Sequence, residues 1–193
     1  MSAELRERRH ALQERVTGLV PPLPESPDAL FKEIRQHLWQ AADQGALRTP
    51  PQGIMRLLKR TSEGQPRGQV AITGGEKNEK RTRDRAHFER DDGAWFDFAI
   101  TVAYEPGVPL VLLGYNFEIR FPDLQSPLFV RFDVNLPGHE NEALGIRSHL
   151  HPGSDDLQVP APFMSPLEVL DDVVYGLRLR EGRKPRATRG ASA

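Results

Sequence analysis

Arg120, Arg131 and Arg147 are the only basic residues between positions 91 and 177, and His149 and His151 follow the last of them directly. Guanidinium forks hold phosphate or carboxylate oxygens in pairs, and imidazole exchanges protons near neutral pH. With Asp133, two positions after Arg131, these residues could carry three kinds of chemistry. In the first, Arg120, Arg131 and Arg147 bind phosphate, His149 and His151 transfer protons, and Asp133 orients one ring, as a metal-independent ribonuclease requires. In the second, His149 and His151 ligate a divalent metal with Asp133 or Glu118, because an H-x-H pair on a strand points both rings to one side. In the third, Arg131–Asp133 and Arg120–Glu118 are ion pairs and the histidines satisfy the loop that follows them. H-x-H alone is a degenerate motif; the clustering of arginines beside it gives it weight.

All three readings require that strands place these residues on one face. From Trp95 to His151 the hydrophobic pattern has period two and predicts four antiparallel strands, joined at Pro106-Gly107, at Pro122 to Pro127 and from Pro137-Gly138 onward. Phe96, Phe98, Ile100, Val102 and Tyr104 alternate in the first, and Val111, Leu113, Tyr115, Phe117, Ile119 and Phe121 in the second. Leu128, Val130, Phe132, Val134 and Leu136 follow in the third, then Ile146, Ser148 and Leu150 in a shorter fourth. The opposite face then carries Asp97, Thr101, Glu105, Asn116, Glu118, Arg120, Arg131, Asp133, Asn135, Arg147, His149 and His151.

The apolar face needs cover, since exposing its large side chains costs roughly 1.5–3 kcal/mol each. Ser165-Pro166-Leu167-Glu168 is a capping box that opens a helix with Leu167, Leu170, Val174 and Leu177 facing inward. A second helix begins at Ser26 as N-cap and Pro27, buries Leu30, Ile34, Leu38 and Ala41, and leaves at Gly45. The fold class is therefore α+β: an antiparallel sheet of four to five strands with helices packed on one face and a helical N-terminal extension. Four regions are expected: an amphipathic helix (Leu5, Leu12, Val16 and Leu19) with a Pro-rich connector in 1–24, a helical and basic region in 25–92, the sheet with its capping helix in 93–180, and a basic disordered tail in 181–193. Within the second region, residues 48–67 read as a loop with two helical turns around Ile54 to Arg60, Gln69 to Thr73 as a short strand, and 76–92 as an exposed helix or mobile loop. Asp155-Asp156, in the loop after the fourth strand, could orient a histidine through its other ring nitrogen.

The formal net charge of −1 conceals a division along the chain. Residues 1–90 carry a balance of +5, residues 91–177 one of −11, and residues 178–193 again +5. An acidic body between basic arms does not present the broad positive face of a protein that coats DNA. The chain has no cysteine, which excludes disulfides, thiolate metal sites and cysteine nucleophiles. No apolar run reaches the length of a membrane span and no signal-peptide pattern opens the chain, so a soluble cytoplasmic protein is expected. P-loop, dinucleotide, G-x-S-x-G and H-E-x-x-H motifs are absent from the sequence.

The stretch FVRFDVNLPGHE, then SHLHPG, then VPAPFMSPLEVLDDVV resembles the TumE-like toxins of bacterial toxin–antitoxin pairs. The resemblance covers about 50–60 residues and places Arg131, Asp133, His149 and His151 at the matching positions, with His139 as a loop histidine. It departs from that family at LGYNFEIRF, where a tryptophan-rich strand would stand, and in the N-terminal region of about 90 residues. It implies a role in growth control or defence with RNA as the target and does not itself establish catalysis. The expectation is a toxin-like or defence-associated protein that binds RNA through the Arg/His face, with cleavage left open and no cofactor unless His149 and His151 hold a divalent metal. Its protein partner would be an antitoxin or complex subunit, engaged through the N-terminal helix or the basic tail. A non-catalytic adaptor or subunit of a larger nucleic-acid-associated assembly is the alternative.

Overall fold

The computed structural model of the chain describes residues 23–122 and 127–178, with Glu7 and Ala11. The helix expected over 3–19 and the tail 181–193 therefore lie outside the described residues, those two positions apart. The elements are α1 (Pro27–Asp43), α2 (Pro51–Leu57), β1 (Leu58–Thr61), β2 (Gln69–Gly74), β3 (Phe88–Glu89), β4 (Trp95–Ala103), β5 (Val111–Arg120) and β6 (Phe129–Val134). They continue with α3 (Glu140–Ala143), β7 (Ser148–Pro152), β8 (Val159–Pro160), α4 (Pro166–Asp171) and a π-helical turn, Asp172–Gly176. The class is α+β, as expected, but the sheet is larger. Eight antiparallel strands run in the order β1-β2-β4-β5-β6-β7-β8, with β3 paired on β4 beyond the end of β2. No described helix is long and apolar enough to cross a membrane.

The extra strands are β1 and β3, from residues 58–89 where less regular structure was expected, and β8, from the connector at Val159–Pro160. The basic segment after α2 passes straight into β1, whose Lys59, Arg60 and Thr61 are exposed at the sheet edge. Charge at an edge strand prevents further pairing, so a polar sequence here is compatible with a strand. β2 follows where the short strand from Gln69 is expected, and α1 begins and buries the residues assigned to it. The Ser26 hydroxyl accepts from the Ala29 N–H at 3.1 Å, and Gly45 takes the left-handed φ of 75° at the exit.

One apolar layer joins the helices to the sheet. Leu30, Ile34, Leu38 and Ala41 of α1 and Val169, Leu170, Val173 and Val174 from the C-terminal end meet Ile72, Phe96, Phe98, Ile100, Phe117 and Ile119. Aromatic rings cross the strands, with Phe88 stacked 5.1 Å from Phe96 and Phe98 stacked 4.9 Å from Phe117. The capping box holds α4 in place: Ser165 Oγ accepts from Glu168 N–H, and the Glu168 carboxylate accepts from Ser165 N–H. Arg90 is wholly buried beside this layer. Its Nη1 donates to Val173 O at 2.7 Å in the π-helical turn, while its Nε donates to Asp92.

The alternation fails at one place. Thr101 pairs with Gly114 but Val102 pairs with Leu112, so Leu113 is an inserted residue that bulges β5. The bulge turns Leu112 inward and leaves Val111 49% exposed, against the expected Val111 and Leu113. Gly114 permits it: a Cβ there would lie 2.5 Å from Val134 O. Leu128 and Leu136, expected in the third strand, lie beyond its ends and are also exposed.

Candidate functional site

From Trp95 to β7 the register away from the bulge agrees with the alternation, and it aligns the polar residues in cross-strand rows. Asp97, Glu118, Arg131 and His151 form one row; Ala99, Asn116, Asp133 and His149 form the next. Arg120 stands in a third row between Trp95 and Phe129, its guanidinium 4.6 Å from the Trp95 ring centre. Five of the six proposed site residues are thus on one face.

Arg147 is the exception. It precedes β7, outside the pleat that fixes the alternation, and its Nε and Nη2 donate to the carbonyls of Asn135 and Leu113. It lines a separate cavity with Tyr104, Leu112 and Phe163, so the expectation that it shares the sheet face with the other five is corrected.

Arg120 is on the right face, but it is 3% exposed and fully engaged. Its Nη1 meets Asp97 at 2.6 Å, its Nε meets Glu118 at 2.7 Å, and its Nη2 donates to Asn78 O at 3.1 Å. Arg120 is therefore a cation within the sheet that lines the groove with each of its guanidinium nitrogens already paired.

The polar face is also covered. Residues 76–86, expected as an exposed helix or mobile loop, cross it as an irregular strap. Arg81 of the strap donates to Glu118 at 3.0 Å and to Asp155 at 2.8 and 2.9 Å, and its guanidinium lies 3.8 Å from the Phe129 ring centre. Arg131 reaches Asp133 at 2.7 Å and the same Asp155 at 2.6 Å. Asp155 thus bridges two guanidinium groups and does not take the histidine-orienting role that the sequence left open. Beneath the strap lies a groove of about 360 Å³ lined by Lys77, Arg81, Asp97, Asn116, Arg131, Asp133 and Asp155 among others. A neighbouring cavity of about 580 Å³ shares Lys77, Asp97, Asn116, Asp133 and Asn135, and reaches His139. His139 caps α3, where its Nδ1 accepts from Asn141 N–H, and does not join the other histidines.

His149 and His151 lie behind the groove, each 2% exposed, and Asp133 connects them to it. His149 Nδ1 bonds Ile146 O at 2.8 Å and His151 Nδ1 bonds Ser154 O at 3.2 Å. A carbonyl can only accept, so both rings carry a proton on Nδ1, which leaves a lone pair on Nε2 in the neutral ring. The two Nε2 atoms are 3.1 Å apart, and Asp133 Oδ2 is 3.6 Å from that of His149 and 3.3 Å from that of His151. Asn116 donates to Asp133 Oδ1 at 2.5 Å.

Burial works to raise the Asp133 carboxyl, but contacts with His151, Arg131 and Asn116 outweigh it and hold the group below the usual carboxylate range. Burial pushes the His149 imidazole below its ordinary value, with Asp133 opposing. Asp97 is pushed up to about 6 by burial, in spite of Arg120. The ion pairs expected in the third sequence reading are both present, and the convergent donors of the second are present beside them. Arg81 and the bridging role of Asp155 were not anticipated. Interleaved charges look the same in a solvated loop as in a strap whose charges are paired.

No protein-family model, curated protein or solved structure matches the chain. The α+β fold and the charged sheet face therefore carry the functional argument.

Proposed function

We propose that this chain is a toxin-like or defence-associated protein that binds RNA through the charged sheet face, with Arg81 and Arg131 as its phosphate site and Asp133 beside it. One observation carries the reading: the Asp155 carboxylate is held by Arg81 at 2.8 Å and by Arg131 at 2.6 Å, on the rim of the groove. Two guanidinium groups converging on one anion make a fork of the kind that takes a phosphate. The Asp155 side chain is 55% exposed and belongs to a loop, so it can swing out and yield its place. Asp155 then acts as an internal competitor for the ligand. Lys77, on the groove wall, adds a further positive charge. Likeness to TumE-like toxins in FVRFDVNLPGHE and SHLHPG supports a role in growth control or defence.

The test is RNA binding measured by fluorescence anisotropy across a salt series. Asp155→Asn is expected to tighten binding several-fold, and Arg131→Gln to weaken it with a salt slope lower by about 1. Growth arrest on expression should be relieved by Arg81→Gln with Arg131→Gln in a chain that still folds. Absence of salt-dependent RNA binding in both the parent chain and Asp155→Asn would reject the proposal.

A further inference from the structure

The buried histidine pair has an electrostatic problem that RNA binding does not address. Both Nδ1 atoms donate to carbonyls, so two Nε2 lone pairs and the Asp133 Oδ2 lone pairs point toward one small volume. Between neutral rings these lone pairs repel at such separations, and the one hydrogen that a protonated ring adds can serve only a single nitrogen–nitrogen or nitrogen–oxygen edge. A proton between the two nitrogens relieves only one edge of the triangle. A cation at its centre satisfies all three atoms.

The dimensions fit a cation. The triangle has edges of 3.1, 3.3 and 3.6 Å. Imidazole nitrogen and carboxylate oxygen bind zinc at about 2.0–2.2 Å, which separates two tetrahedral ligands by about 3.3 Å. Two imidazoles and one carboxylate are borderline donors, suited to a first-row divalent ion and poorly suited to calcium or magnesium, which prefer oxygen.

The surroundings are those of a metal centre as well. Each ring is fixed by a carbonyl on its far nitrogen, and Asn116 and Arg131 fix the carboxylate, at 2.5 and 2.7 Å. Arg131 takes one lone pair of Oδ2 and leaves another. Among the charged groups of the groove, Lys77, Arg81, Arg120 and Arg131 oppose Glu79, Asp97, Glu118, Asp133 and Asp155, so the cluster carries one negative charge in excess.

From this geometry we infer that Asp133, His149 and His151 form a binding centre for a first-row divalent metal ion of the zinc class, one per chain. The three donors come from adjacent strands in register, so the centre is part of the rigid sheet. Asp133 lines the groove, which puts the ion directly behind the proposed phosphate site.

The full chain, stripped with a chelator and dialysed, is titrated with Zn(II) and separately with Co(II). Isothermal calorimetry is expected to show one equivalent bound, and cobalt to give a visible d–d spectrum of an N/O site with no thiolate band. Zn(II) should raise the melting temperature. His151→Gln and Asp133→Asn should each lose at least about 100-fold in affinity, and Asn116→Ala, which touches only the carboxylate, about tenfold. Substitutions can also unfold the chain, so the parent protein supplies the deciding measurement. If it binds neither Zn(II) nor Co(II), the inference is overturned, and nitrogen-15 spectra are then expected to show a proton shared between the two Nε2 atoms. A chain that binds metal but not RNA would reject the phosphate site alone, and one that binds RNA but not metal would reject the centre alone.

Discussion

The two faces of the central sheet are buried by different means. On one, α1 and the C-terminal helix press apolar side chains onto Phe96, Phe98, Ile100 and Phe117, and each contact is small, non-directional and replaceable. On the other, the strap over 76–86 and the loop around Asp155 cover a lattice of guanidinium, carboxylate and imidazole groups in which every bond has a direction. Burial stabilises the first face whatever the pH. The second is stable only while its charges remain matched, because a buried charge that loses its partner costs far more than the pair contributes.

Removing one side chain from each face gives the largest effects and separates the two mechanisms. Phe117→Ala should destabilise by about 3–5 kcal/mol through lost burial and the cavity left behind, equally at pH 5 and pH 7. Arg120→Ala should cost about 3–5 kcal/mol near neutrality, since Asp97 and Glu118 lose their shared cation. That loss should shrink toward pH 5, where the stranded carboxylates take up protons. Chemical denaturation at the two pH values measures both variants. An Arg120→Ala loss independent of pH would mean that stacking on Trp95 holds the polar face, as packing holds the other.

Asp97→Asn sharpens the contrast with a smaller effect. Folding raises the Asp97 carboxyl from 3.8 to about 6, so within this window the folded state binds more proton than the unfolded state. The contribution of Asp97 to stability therefore falls as pH rises from about 4 to 6 and is flat above that. The parent's stability relative to Asp97→Asn should decline by about 1–3 kcal/mol across the window. A difference that rises with pH would show that Arg120 lowers the carboxyl and that the sign is reversed. Smallest is Ser165→Ala, which removes one half of the capping box and should cost about 1 kcal/mol at any pH, seen as a lower denaturation midpoint.

The register of β4 to β7 is legible in the sequence because, Ala99 and Ser148 apart, polar and apolar residues alternate through FDFAIT, NFEIRF, VRFDV and SHLH, and a slip of one position would bury charge. That alternation is why Asp133, His149, His151, Arg120 and Arg131 could be assigned to one face. The same logic has nothing to hold at VPLVLLG, where both phases are apolar, so the bulge at Leu113 was hidden. It also fails at Arg147, which sits one residue before the pleat begins and follows local backbone bonds instead. The strap was hidden for a different reason: alternating Lys, Arg, Asp and Glu over 76–92 satisfies water as well as it satisfies a sheet. Only the positions of Glu118 and Asp155, supplied by distant segments, give Arg81 its place.

Arg90 has a consequence for how the chain is made. Its guanidinium is sealed in the interior and donates to the carbonyl of Val173, 83 positions later in sequence. Until that late segment leaves the ribosome, the emerging sheet holds a cation whose main carbonyl acceptor has not yet been synthesised. A product truncated before Val173 would lack that acceptor and part of the apolar cover together, and is expected to be less stable than the full chain.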